Sequence, residues 1–257
     1  MNKITKQHFR VDNFDGLREF YVDILGMENF STNNTMIFGF NRNSCYICFH
    51  KKCVKPYTST SNDFYWKIGI TLKNLDVAVN YLCEKNIAIS APVQFKKIGY
   101  MSKITDPKGF IIELLQQGFL GHEEKVYDNA HPIGSQGTLA HITLRINDLE
   151  KSQTYFEKKL NMRLMSIQAV EEFEFCLYFY SFSNEVLPNK DLNSVKNREW
   201  LWRRPYTFIE LQHIQTTSVA LNKTPFDMAG FDGFSYGDTT EKYVSYSSII
   251  DALLSVT

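Results

Sequence analysis

Two glutamates stand where strand patterning leaves little room for charge: Glu113 in the run FIIELL and Glu210 in TFIELQH. Ile111, Ile112, Leu114 and Leu115 surround Glu113, so its carboxylate must reach an aqueous pocket or a partner. Glu210 shares a strand face with Phe208 and Gln212, between Ile209 and Leu211, and is costly to bury alone. That calls for a charge, a metal or a proton beside it. His141 opens HITLRI, which puts His141, Thr143 and Arg145 on one face and Ile142, Leu144 and Ile146 on the other. By pattern alone, a single strand histidine is more often structural than reactive. Lys67, in WKIGITL, either snorkels to solvent or pairs with a carboxylate.

Few other chemistries are open. No GxGxxG after a strand, GxxxxGK[ST], HExxH or GxSxG occurs, which argues against dinucleotide, nucleotide, zincin and serine-hydrolase sites. Cys45-x-x-Cys48 lies in the alternating run SCYICFH, with no second pair to complete a zinc site. Five cysteines form an odd set, so reduced thiols in a cytoplasm are expected. The balance of 28 Lys+Arg against 28 Asp+Glu gives no electrostatic footprint for nucleic acid. The first residues lack a secretory apolar segment, and no apolar run approaches membrane-spanning length, so no membrane association is expected.

The elements that must carry these side chains repeat. Residues 9–27, FRVDNFDGLREFYVDILGM, align without gaps with residues 144–162, LRINDLEKSQTYFEKKLNM. Both read as strand, acidic helix cap, amphipathic helix and exit, with Asp148 as the cap of the second copy. Residues 66–72 and 76–85 begin a third copy, and each start is followed by short β-rich runs with turn signals such as Asp106-Pro107-Lys108-Gly109. A unit of strand, helix and three strands thus occurs three times. A fourth is expected to begin with a strand over 230–236 and a helix over 241–254. The division read from this is a two-unit domain at 1–117, a polar linker at 118–137 and a second domain at 138–257. The polar stretch 184–199 is expected to be a loop over a site. His122 and His131 are expected to be solvated in the linker, and no chemistry is assigned to His50 or His213.

These residues resemble the vicinal oxygen chelate superfamily and, within it, the glyoxalase I (lactoylglutathione lyase) branch. The resemblance is carried by FYVDILGM at 20–27, KITDPKGFIIEL at 103–114, HITLRIND at 141–148 and WLWRRPYTFIELQH at 200–213. It implies an α+β fold in which repeated βαβββ units form curved mixed β-sheets with helices outside, and a divalent metal on the concave face. Ligands come from the first and last strands of facing units. In the first unit those positions fall at Lys6 and Ile47, neither able to ligate, with His8 two residues along as a substitute. The second unit supplies Lys67 and Glu113, and the third His141 and Glu210. The implied metal set is therefore His141, Glu210 and Glu113, with Lys67 at the fourth corner.

The resemblance implies a metal-dependent lyase or isomerase working through an enediolate. A divalent ion (Ni, Co, Zn or Mn) would polarise vicinal oxygens of a small carbonyl or glutathione thiol adduct while Glu210 or Glu113 moves the proton. Arg145, like its copy Arg10, matches a position that holds a substrate carboxylate, and a structural ion pair is the alternative. Lys67 either contacts an anionic substrate oxygen or replaces the metal's charge. Trp200, Trp202, Arg203 and Arg204 either flank a ligand or serve packing. A second reading is a metal-free small-molecule-binding protein of the same superfamily, in which Lys67 pairs with Glu113 or Glu210. A third is a structural or regulatory partner that borrows the fold, its incomplete fourth unit finished by another chain, with the open sheet edge favouring a homodimer.

Overall fold

The computed structural model describes residues 2–120, 130–135, 137–214 and 221–253. His122 lies outside them. Unit one comprises β1 (Lys3–Val11), β2 (Glu28–Asn29), β3 (Thr35–Gly39) and β4 (Tyr46–Lys51). In unit two, β5 (Tyr65–Leu72) leads into α1 (Leu75–Glu84), β6 (Val93–Gln94), β7 (Tyr100–Thr105) and β8 (Ile111–Gln116). Unit three runs through β9 (Thr138–Ile146), α2 (Leu149–Gln153), β10 (Arg163–Val170), β11 (Phe175–Ser181), α3 (Val195–Trp202) and β12 (Phe208–Ile214). The last elements are β13 (Gly230–Gly237), β14 (Glu241–Ser245) and α4 (Tyr246–Leu253).

The strands form two curved mixed sheets. One has the order β10-β11-β12-β9-β5-β8-β7-β6 and joins units two and three; the other, β14-β13-β1-β4-β3-β2, joins unit one to the fourth segment. Each sheet therefore draws strands from both sides of residues 118–137. Glu241 to Ser245, read from the sequence as the start of a helix, is strand β14, paired antiparallel to β13, and the helix begins only at Tyr246.

Period-two alternation separates the faces of the larger sheet. Ile68 and Ile70 of β5, Ile112 and Leu114 of β8, Ile142 and Leu144 of β9, and Ile209 and Leu211 of β12 all enter the main core. Their neighbours Lys67, Glu113, His141, Thr143 and Glu210 are buried on the opposite face. A smaller apolar cluster there includes Leu115, Phe179, Phe208, Leu201 and Trp202, and so ties α3 to that face.

Local signals explain the helices. Asn74 caps α1 by accepting from the Val77 amide, and Leu75, Ala78, Val79 and Leu82 form its buried stripe. Asp148 caps α2 through the Lys151 amide at 2.9 Å. The helices of units one and three share an irregularity. Glu19–Ile24 and Thr154–Lys159 are wide π-helical turns, closed by Leu25 N–H to Phe20 O and Leu160 N–H to Tyr155 O. The wider turn lets two consecutive aromatic residues, Phe20 and Tyr21 or Tyr155 and Phe156, be buried together. Gly26 and Asn161 then leave at φ of 71° and 56°, the left-handed exit favoured by those two residue types. Replacing Asp148 by Ala should cost about 1 kcal/mol, the usual worth of an N-cap, read as a lower urea midpoint at unchanged slope.

Candidate functional site

Three register relations bring the polar residues together. Gly69 of β5 stands opposite both Glu113 on β8 and His141 on β9, while Lys67 stands opposite Thr143. Thr143 in turn faces Glu210 on β12. Lys67, Thr143 and Glu210 thus form one cross-strand row, and Glu113, Gly69 and His141 the next. Gly69 is required there: a Cβ on it would stand 2.2 Å from His141 Cε1.

The Lys67 ammonium lies at the centre of this arrangement. It donates a short hydrogen bond to Glu113 Oε2 and sits 3.8 Å from Glu210 Oε1. Thr143 Oγ1 donates to Glu210 Oε1 at 2.8 Å, and Lys103 Nζ lies 3.9 Å from Glu113 Oε1. Burial would raise the Glu113 carboxyl, but Lys67, with Lys103 behind it, holds it below the usual carboxylate range. His141 is fully buried, its Nε2 is 3.9 Å from Glu113 Oε2, and neither ring nitrogen has a hydrogen-bond partner. Burial lowers its basicity, so it is neutral at physiological pH. The indole of Trp66 is flanked by three cations, with Lys67 Nζ, Arg145 Cζ and Lys103 Nζ at 4.1, 4.6 and 5.2 Å from the ring centroid.

Lys67, Lys103, Glu113, Glu210 and Trp66 floor a cavity of about 330 Å³. Its walls are apolar and aromatic, from Phe95, Ile98, Met101, Phe173, Phe175 and Leu177, and α3 closes it with Arg198 and Trp202. The polar stretch before Glu210 is therefore not only a loop: its C-terminal part is a helix that carries part of the cavity wall. Arg198, Trp66 and Lys103 were not distinguished by strand pattern. The available signal was adjacency, since Trp66 precedes Lys67 and Lys103 lies within β7 directly opposite Glu113.

Arg145 stands apart from the cavity wall. Its donors are spent on Gln212 Oε1 at 3.2 Å and on the carbonyls of Asp63 and Thr60 at 3.0 and 3.4 Å. Arg10 pairs with Asp232 at 2.9 Å. In the smaller sheet Lys6 pairs with Glu241 at 2.7 Å, Ile47 is buried, and both His8 nitrogens are engaged, by His50 at 2.9 Å and Ser235 at 2.8 Å. Arg203 binds Glu199 and Arg204 stacks on Trp200. His131, expected to be solvated, is half-buried: it accepts from the Gly134 amide and lies 3.2 Å from the Tyr81 hydroxyl. The five cysteines are free, and burial pushes Cys45 up to about 11 and Cys48 up to about 12, which makes them unreactive thiols.

The donor set does not fit a divalent ion. His141 lies beside Glu113, but the position between the Glu113 and Glu210 oxygens is held by an ammonium that has no lone pair to give. Among the described residues no group of three or more His, Cys, Asp or Glu side chains is arranged to hold a metal.

No family model and no curated protein sequence matches this chain. Solved structures do. Glyoxalase I from Zea mays is 16% identical, with a TM-score of 0.64 over 92% of this chain and 74% of that one. A mutant of the same maize protein is 17% identical, with a TM-score of 0.61 over 84% of this chain and 69% of that one. This chain has a glyoxalase-like fold. At that identity the likeness is one of fold, and the chemistry must be argued from the site.

Three outcomes test this geometry. Lys67→Met leaves two carboxylates facing each other and should cost about 3–5 kcal/mol at neutral pH. Because the freed carboxyls then have raised folded-state pKa values, the deficit should shrink as pH falls toward 4, in urea titrations at both pH values. Gly69→Ala should cost about 1–3 kcal/mol through the clash with His141, in the same assay. In the wild type, burial and His50 lower His8 to about 4, so its contribution is complete above pH 6.5 and lost as pH falls toward 4. His8→Gln should flatten the melting-temperature profile in that window.

Proposed function

We propose that the protein is a metal-free member of this fold group that binds an apolar or aromatic small molecule in the cavity between β5, β8, β12 and α3. One observation carries the reading: the Lys67 ammonium, paired to Glu113 and close to Glu210, takes the position a metal would need. With that charge supplied by the chain, the remaining feature is a half-open cavity with aromatic walls and a polar floor, the usual form of a small-molecule site. Glu113 and Glu210 then serve to hold Lys67 rather than to move a substrate proton. A glyoxalase I-like lyase acting on a glutathione adduct is the competing reading, and the partnerless ring nitrogens of His141 are the observation in its favour.

Free thiols suit a reducing compartment, so a cytoplasmic location goes with this proposal. Among the described residues no helix is long and apolar enough to cross a membrane. The exposed edges β14 and β2 of the smaller sheet offer a route to a homodimer.

Calorimetric titration of chelator-treated protein with nickel, cobalt, zinc and manganese should show no stoichiometric binding. Tight one-to-one binding that His141→Ala abolishes would overturn the metal-free reading. Tryptophan emission should respond to 1-anilinonaphthalene-8-sulfonate, through Trp66 and Trp202, and that response should be lost in Leu177→Arg, which fills the cavity with a charge.

A further inference from the structure

We propose that the ligand of this cavity carries one negative charge, a carboxylate or a group of like geometry, on an aromatic or apolar body, and that the Arg198 guanidinium receives it. The inference rests on the cavity being the binding site.

Arg198 is the buried cation that the site's own carboxylates do not claim. Its residue is 4% exposed, on the face of α3 that closes the cavity. One terminal nitrogen donates to the Ile98 carbonyl, and Nε has no partner. Aromatic rings surround the guanidinium, with Phe119, Trp202 and Phe179 centroids at 4.8, 5.5 and 5.9 Å from Cζ. Among the described residues no carboxylate oxygen comes within 4.0 Å of it. A buried guanidinium normally meets a carboxylate or phosphate through its paired donors. Glu113 and Glu210 are near enough to favour its charge, yet both are committed to Lys67, Lys103 or Thr143. Burial brings Arg198 down to about 10, which leaves it charged at neutral pH.

Two further observations point the same way. Trp202 Nε1, also on the cavity-closing helix, is a buried donor with no partner. Unsatisfied donors call for an acceptor, and a carboxylate supplies one for each. The charges lining the cavity do not cancel either: Lys67, Lys103 and Arg198 stand against Glu113 and Glu210, with His141 neutral. A ligand with a single negative charge balances that set, whereas a cationic ligand would add to the excess.

The test uses three probes of one shape: 2-naphthoate, 2-naphthylmethanol and 2-naphthylmethylammonium, titrated into the intact protein by calorimetry at pH 7. The expected order is the anion tightest, by about tenfold or more over the alcohol, with the ammonium weakest. Arg198→Met should erase the preference for the anion while retaining the alcohol, and Arg198→Lys should restore part of it. If the wild type binds anion and alcohol equally, or prefers the ammonium, the charge assignment is overturned and the cavity stands as an apolar site. If none of the three probes binds, the cavity reading falls and this inference with it. Should Arg198→Met fail to fold, the wild-type order and the Arg198→Lys variant still decide the matter.

Discussion

An ammonium and two carboxylates buried on one sheet face constrain everything around them. Each ion alone would cost several kcal/mol to remove from water, so none can be placed independently. Lys67 must reach Glu210 along its own row and Glu113 in the next, and Thr143 must donate to Glu210. The register of β8, β5, β9 and β12 is therefore coupled: a one-residue slip in any of the four would turn a charge into the apolar core. The same coupling explains why Gly69 must lack a side chain, since the His141 ring occupies the space in front of it.

The apolar walls follow from that polar floor. With Lys67 and Lys103 set against Glu113 and Glu210 on the floor, aromatic side chains from the turn at Phe173, from β11 and from the segment around Phe95 can close over it. The closing piece is α3, anchored by Leu201 and Trp202 in the smaller apolar cluster. Specificity then resides in the few groups left unsatisfied. Among the described residues of this face these include the donors on Arg198 and Trp202 and the ring of His141.

Strand alternation made half of this legible from sequence. Glu113, Glu210 and His141 each interrupt an apolar period-two pattern, and such an interruption in a strand points to a partner. Lys67 as partner of Glu113 or Glu210 was one of two readings the sequence left open, and the choice between it and a lysine reaching solvent follows from pairing across strands, which a one-dimensional pattern does not encode. Arg198 left no trace, because α3 has no apolar stripe: Asn197 and Arg198 are buried beside Leu201 and Trp202, so the helix reads as polar. The segment Glu241–Ser245 was misread for a related reason. Its five residues lie directly before a genuine amphipathic run, Ile249, Ile250 and Leu253, and the helical period was extended backward through them. Arg145 kept its expected face but spends its donors within the protein, a commitment visible only in three dimensions.

The wide turns at Glu19–Ile24 and Thr154–Lys159 bear on how the chain was assembled. Both stand at the same point of the gapless alignment between units one and three, and both end in a left-handed Gly or Asn. The regular α1 of unit two has no such turn. A residue gained once, before copying, produces that distribution if the block copied was a pair of units rather than a single one. Units one and three are then the two descendants of one ancestral half. In that alignment Lys6 stands where His141 stands, so the equivalent point carries a lysine paired to Glu241 in one sheet and a buried, unpartnered imidazole in the other.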